Sequence, residues 1–203
     1  MIVVVDTGLG NVGSVLNMIK HLGFKAVVSK DIADIENAQK IIIPGVGTYD
    51  AGMKALHTRG LVDVLNYKSN DSHAQILGIC LGMQLMLEGS EEGQEAGLGW
   101  FEGSCKKFPD MINQSLKVPH MGWNTVEPLK YEALFKKVEE ETRFYFVHSY
   151  FAELKNEVEI LTKTTYGESF ASGINKNNIF GVQFHPEKSH AFGFHFLKNF
   201  LNL

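Results

Sequence analysis

Cysteine is scarce in this chain, and so are proline and tryptophan: two, five and two residues among 203. Two cysteines, Cys80 and Cys105, cannot build a disulfide framework, so a reducing, cytoplasmic setting is expected. There is no Pro/Ser-rich linker, low-complexity tract or repeat. No apolar stretch approaches the ~20 residues a membrane span needs. The opening run Ile2-Val3-Val4-Val5 reads as a strand; it has neither the basic flank nor the cleavage site of a leader peptide. Charge of one sign is also lacking: 19 Lys and Arg stand against 23 Asp and Glu, a net charge of −4. That gives no electrostatic reason to expect nucleic acid or an anionic membrane as a partner. No Cys/His/Asp cluster has zinc spacing, so neither a metal nor another cofactor is expected.

What is present suffices for one sizeable core, and a single domain over residues 1–203 is expected. In the first half, β-branched runs alternate with helical periodicity. Ile2 to Val5, Ala26 to Val28, Ile41 to Ile43 and Gln75 to Ile79 read as strands. Val12 to Leu22, Tyr49 to His57, Leu61 to Tyr67 and Leu81 to about Leu87 read as helices. Such alternation implies right-handed crossovers and a parallel sheet covered on both faces. The second half differs. Residues 100 to 127 carry Gly, Pro and aromatics without helical period. Phe144 to Val147, Glu159 to Thr165, Phe170 to Ile174 and Ile179 to Phe184 look like neighbouring strands; Gly173 to Asn178 reads as a turn and His190 to Leu201 as a closing helix. The expected fold is a three-layer α/β domain, its mostly parallel central sheet flanked by helices and extended by antiparallel strands.

The most informative segment is Ile76-Leu77-Gly78-Ile79-Cys80-Leu81-Gly82-Met83-Gln84. A buried strand runs into a helix, with a cysteine at the junction and glycines two residues to each side. This is a nucleophile elbow with Cys in place of Ser. The tight turn lifts the sulfur clear of the sheet, the helix N-terminus favours thiolate, and the Leu81 amide points where an acyl oxyanion would form. A lone cysteine after an apolar strand is as often mere packing. Cys105 lacks such a setting and reads as structural.

A cysteine nucleophile needs a base, and the base an orienting group. Of eight histidines, His185 follows the strong strand Ile179 to Phe184 and precedes Pro186-Glu187. The proline restricts its backbone at the carboxyl edge of the sheet, and Glu187 is close enough to hold one imidazole nitrogen. Alone, this tripeptide would be an ordinary loop turn; beside the elbow it completes a Cys80–His185–Glu187 triad. His190 and His195 are off the register of a helical metal pair, and His21, His57 and His73 read as surface residues.

Together the two motifs resemble the class I (triad) glutamine amidotransferase family. Further segments are similar to one member, a glutaminase that supplies ammonia in histidine biosynthesis: Asp6-Thr7-Gly8, Gly10-Asn11, Pro44-Gly45-Val46-Gly47, Pro119-His120-Met121-Gly122-Trp123-Asn124, Tyr145-Phe146-Val147-His148-Ser149-Tyr150 and Gly181 through Ser189. The resemblance implies L-glutamine as substrate and backbone oxyanion donors at Val46 and Leu81. It implies a substrate pocket of Gly45, Gly47, Gln84, His148, Ser149 and Tyr150. It also implies a partner-facing surface at Asn11, Trp123, Tyr145 and Lys188, although Trp123 and Tyr145 could equally be core. The partner it implies is a (βα)₈-barrel cyclase subunit, joined as a heterodimer. The residues alone also ask for a partner, because nothing in the chain could use the ammonia released.

Three other readings compete. Gly8-Leu9-Gly10-Asn11-Val12-Gly13 satisfies the dinucleotide pattern G-x-G-x-x-G, with Asp31 near the distance of a ribose contact. No dehydrogenase substrate domain follows it, however, and the resemblance accounts for the glycines as a loop near the partner. A stand-alone cysteine hydrolase or peptidase leaves the segments at 44–47 and 119–124 unexplained. A related glutaminase that serves sugar amination for surface polysaccharides would share the triad and much of the interface.

Overall fold

The computed structural model describes residues 1–109, 111–112, 116–130, 134–136 and 142–203. Its first half alternates strand and helix: β1 (Ile2–Val5), α1 (Val12–His21), β2 (Ala26–Ser29), α2 (Ile32–Glu36), β3 (Lys40–Gly45), α3 (Tyr49–Thr58), α4 (Leu61–Ser69) and β4 (Gln75–Cys80). The elbow helix α5 (Leu81–Gln84) leads to β5 (Leu87–Ser90) and β6 (Phe101–Lys107). Next come the short pair β7 (Met111–Ile112) and β8 (Leu116–Lys117), then β9 (His120–Thr125), β10 (Glu127–Pro128), β11 (Arg143–His148) and β12 (Tyr150–Leu154). Strands β13 (Ile160–Tyr166), β14 (Glu168–Lys176) and β15 (Ile179–Val182) precede the closing helix α6 (His190–Leu201).

Among the described residues the main sheet runs β2-β1-β3-β4-β15-β14-β12-β6-β5, with β13 also pairing β14 and β10 pairing β13. From β2 to β15 the pairing is parallel. From β15 through β14 and β12 to β6 it is antiparallel. The sheet is buried on both sides. One cluster, with Val3, Ile41, Ile76 and Leu65, lies under α3 and α4; the other, with Val4, Ile42, Leu77 and Phe200, lies under α1 and α6. Adjacent residues of β1, β3 and β4 thus serve opposite cores, as the period-2 pleat requires. No helix of the described residues is long and apolar enough to cross a membrane.

The expected α/β architecture is therefore present, with three local differences. The helix expected from Leu81 to about Leu87 ends at Gln84, because the chain turns at once into β5. The stretch 100–127, read as irregular, contains β6 and β9. Its glycines sit within strands: Gly103 (φ +136°) lies against the Glu153 backbone, and Gly122 has φ +126°. The turn expected at Gly173 to Asn178 is narrower, since β14 continues to Lys176 and only Asn177 and Asn178 turn, Asn177 at φ +51°.

Beside the main sheet stands a separate two-stranded hairpin of β9 and β11, pairing His120 with His148 and Trp123 with Tyr145. One bridge ties it to the residue following β15's strand run, Tyr145 opposite His185.

Candidate active site

Cys80 sits at the carboxyl end of β4, 7% exposed, with φ +54° and ψ −110°. A non-glycine residue rarely adopts this backbone, and such strain persists only where the surroundings impose it. The glycines show how. A Cβ at Gly82 would overlap the Ile43 carbonyl oxygen, and one at Gly78 would lie 2.6 Å from Met86 Cε and 2.7 Å from the Gly82 backbone. With neither Cβ present, the turn presses against β3 and lifts the sulfur into a cavity of about 310 Å³. Val46, Gly47, Leu81, Gln84, Glu92, His148, Ser149, Tyr150 and His185 line that cavity together with Cys80.

His185 is 1% exposed, and its Nδ1 lies 2.7 Å from Glu187 Oε1, whose side chain is 4% exposed. Burial disfavours a charged ring here. The Cys80 sulfur and the Glu187 carboxylate outweigh that penalty and raise the imidazole to about 10. The backbone of His185 is fixed by its N–H donating to the Tyr145 carbonyl at 2.9 Å. Ser189 Oγ donates to the His185 carbonyl at 2.6 Å and accepts from the Tyr145 N–H at 3.0 Å. The Nε2 of His185 has no regular hydrogen bond, and the ring lines the same cavity as the sulfur.

The other expected residues divide into those at the cavity and those away from it. Gly47 lines the cavity at φ +116°, and Val46 is 41% exposed at its edge. Gly45 is buried at the end of β3 opposite Cys80 and does not line the cavity; a Cβ there would lie 2.9 Å from Leu81 Cβ. His148 is a buried neutral ring: burial, with the nearby His120 and His185, depresses it to about 3. Trp123 and Tyr145, for which core packing was an equal expectation, lie on a surface. Trp123 is 46% exposed, stacks on His190 at 5.5 Å and meets the Tyr145 ring edge-on at 6.4 Å. Lys188 Nζ lies 5.6 Å over that Tyr145 ring. Asn11 is exposed and caps α1, its side chain accepting from the Ser14 N–H at 3.2 Å.

Glu92 escaped the sequence reading. It is the carboxylate among the cavity residues, and the Tyr49 N–H holds its Oε2 at 2.8 Å. Its local sequence, Ser90-Glu91-Glu92-Gly93, has no pattern that separates it from a solvated loop. The glycine loop read as a dinucleotide decoy has a packing explanation: Gly10 (φ +140°) lets the chain approach the Pro44 carbonyl, where a Cβ would come within 3.1 Å. Cys105 is fully buried in β6, burial pushes its thiol up, and no catalytic partner adjoins it. Among the described residues no group of His, Cys, Asp or Glu is arranged to hold a metal ion.

A strained cysteine at a strand-to-helix turn, sharing a cavity with a buried carboxylate-backed histidine on an α/β sheet, is an arrangement that can carry cysteine-dependent acyl transfer. Residues 3–203 match the family described as glutamine amidotransferase class-I, and the chain belongs to that family. It is 47% identical over 203 residues, all of both chains, to imidazole glycerol phosphate synthase subunit HisH 2 of Pseudomonas aeruginosa. It is 46% identical to HisH 2 of Methanococcus maripaludis, covering 99% of this chain and 98% of that one. To HisH of Leptospira interrogans it is 41% identical over the full length of both. In fold it resembles a crystal structure of a glutamine amidotransferase, with TM-score 0.77 and 17% identity over 100% and 98% of the two chains. A chain of the PurLQS structure from Thermotoga maritima gives 0.73 and 17% over 98% and 96%.

Proposed function

We propose that this chain, acting as one domain, is the glutaminase subunit of an imidazole glycerol phosphate synthase, releasing ammonia from L-glutamine for a partner cyclase. The observation that carries the chemistry is the buried His185–Glu187 pair facing the same cavity as the strained Cys80. Full-length identity of 41–47% to proteins named as HisH carries the assignment to that synthase.

The steps follow from the geometry. The Cys80 thiolate attacks the carboxamide carbon, forming a C–S bond while the carbonyl oxygen becomes an oxyanion. The Leu81 amide, and the Val46 amide once its loop turns inward, stabilise that oxygen. His185, protonated at rest, gives its Nε2 proton to the departing nitrogen, and the C–N bond breaks to leave a thioester and ammonia. Water then attacks the thioester with His185 as base, and glutamate leaves as Cys80 is restored. Glu187 holds the Nδ1–H, so it orients the ring rather than transferring protons. Glu92 matches the substrate's ammonium group, while Gln84, Ser149 and Tyr150 supply neutral contacts. Gly47 gives the loop its freedom to turn. Asn11, Trp123, Tyr145 and Lys188 form the surface that meets a (βα)₈ cyclase, in a heterodimer that works without a cofactor.

Ammonia release is to be measured for the chain alone, and with an imidazole glycerol phosphate cyclase plus its nucleotide substrate. Strong stimulation is expected. Activity without stimulation would move the assignment to another partner, such as that of a sugar-aminating pathway. A glutamine-analogue label that missed Cys80 in the complex would overturn the triad itself.

A further inference from the structure

The cavity wall behind Cys80 contains a polar chain that the triad does not use. Gln183, fully buried in the run that follows β15, places Nε2 3.6 Å from Cys80 Sγ. Its orientation is dictated by neighbours with no alternative. The Tyr150 carbonyl can only accept, so the Gln84 group 3.1 Å from it must be the NH₂. The same nitrogen lies 3.0 Å from Gln183 and must donate there too, which fixes that atom as Gln183 Oε1. The NH₂ of Gln183 is thereby turned toward the sulfur.

The Tyr150 carbonyl is itself held from the other side by the same reasoning. His148 Nδ1 donates to it at 2.8 Å, so His148 Nε2 is an acceptor. His120 Nδ1 therefore donates to His148 Nε2 at 2.9 Å, and His120 Nε2 accepts from Asn124 Nδ2 at 3.1 Å. Asn124 is set in turn by the Thr165 carbonyl at 2.9 Å and the Thr125 N–H at 2.8 Å. Every donor along this path meets an acceptor, with both rings neutral. Burial alone depresses His120 to about 4, which agrees with a neutral ring.

We propose that Gln183 is a further catalytic residue, a neutral N–H donor to the Cys80 sulfur that favours thiolate, with Gln84 as the positioning residue that aims it. This deepens the glutaminase reading and rests on it. The sulfur then has a hydrogen-bond donor in Gln183 besides the His185 ring that lines the same cavity. A hydrogen bond to a charged acceptor is stronger than one to a neutral acceptor, so the Gln183 bond lowers the energy of thiolate more than that of thiol. When the sulfur forms the thioester that charge is lost, and the bond weakens as the acyl group needs room. The other titratable groups around the sulfur are Glu187 behind His185, Glu92, His148 and Tyr150 in the same cavity lining, and Cys105 on β6.

The test is the pH profile of Cys80 alkylation by iodoacetamide in the full chain, read by peptide mass, from acid to the high-pH plateau. Gln183→Met keeps the length without the donor, and Gln183→Glu keeps the shape with a carboxylate; the second carries the test should the first not fold. Both variants are expected to move the midpoint of that profile up by about one pH unit, the weight of one charge-assisted hydrogen bond. The plateau rate should not fall, which a collapsed cavity would not give. An unmoved midpoint in a variant with parental circular dichroism would overturn the proposal. If instead Cys80→Ala still hydrolysed glutamine, the glutaminase reading itself would fall, whatever Gln183 does.

Discussion

The nucleophile and the base of this site are held by opposite means. Cys80 is set by its own neighbours in sequence: β4 before it, α5 after it, and two glycines that let the turn close against β3. His185 follows the last strand of the parallel run, but its backbone is bonded to the Tyr145 carbonyl, forty residues away in sequence, and to the Ser189 hydroxyl. Tyr145 belongs to the β9–β11 hairpin, whose outer face carries exposed Trp123 and Met121. A partner seated there has a short mechanical route to the base and no comparable route to the nucleophile. The difference teaches that a site can be rigid in one half and adjustable in the other, as regulation by an assembled partner would require.

Breaking the rigid half should have the largest effect. Gly82→Ala forces a methyl into the Ile43 carbonyl and is expected to destabilise the chain by about 3 kcal/mol or more, read as a fall in the denaturation midpoint. A midpoint equal to the parent would show that the turn is not tightly packed. Next come the reacting groups. Cys80→Ala or His185→Ala should abolish ammonia release in the complex while the fold persists, whereas Glu187→Gln should retain partial activity.

Loosening the adjustable half should cost less. Ser189→Ala removes the hydroxyl that binds both the His185 carbonyl and the Tyr145 N–H, so kcat should drop about tenfold with little change in KM. Parental kcat would mean that the base is held by other bonds. Trp123→Ala should lower the partner-stimulated rate more than it lowers thermal stability; an unchanged stimulated rate would remove Trp123 from the interface.

A separate effect is expected on acid stability. His148 and His120 are depressed to about 3 and about 4 in the folded chain, against 6.5 when exposed. The unfolded chain therefore binds more protons between those values and 6.5. As far as these two rings are concerned, stability is full above about pH 6.5 and falls as the pH drops toward 4, by up to about 1.4 kcal/mol per pH unit for each ring, whereas His185, raised to about 10, acts in the opposite sense between 6.5 and 10. Urea midpoints at pH 7 and pH 5 check this, and His148→Phe should flatten the dependence. An equal slope in that variant would assign the acid sensitivity to other groups.

What the sequence revealed follows the same division. The elbow was legible because its requirements are local: a buried strand, a cysteine and two glycines within seven residues. His185 and Glu187 were legible because proline ties them together. The parallel order was legible from alternating strand and helix. The β9–β11 hairpin was harder, since its partners lie some twenty residues apart and its glycine-containing strand breaks the usual β pattern. Glu92 gave no signal, because a carboxylate enters the cavity only through the path of the β5 loop. Gln183 did leave a trace: it is a polar side chain in the apolar run Ile179-Phe180-Gly181-Val182-Gln183-Phe184, at a position with no access to water. Buried polar residues need partners, and here they are Gln84 and the Cys80 sulfur.

The burial of Cys105 gives the bench a counting device. With its thiol pushed up and sealed within β6, it stays silent toward thiol reagents as long as the fold is intact. Titration of the native chain should therefore return one equivalent of reactive sulfur per molecule, and that number equals the concentration of competent sites. A preparation that returns two contains unfolded chain, and one that returns less than one holds Cys80 already oxidised, so a single colorimetric reading grades each batch before any substrate is added.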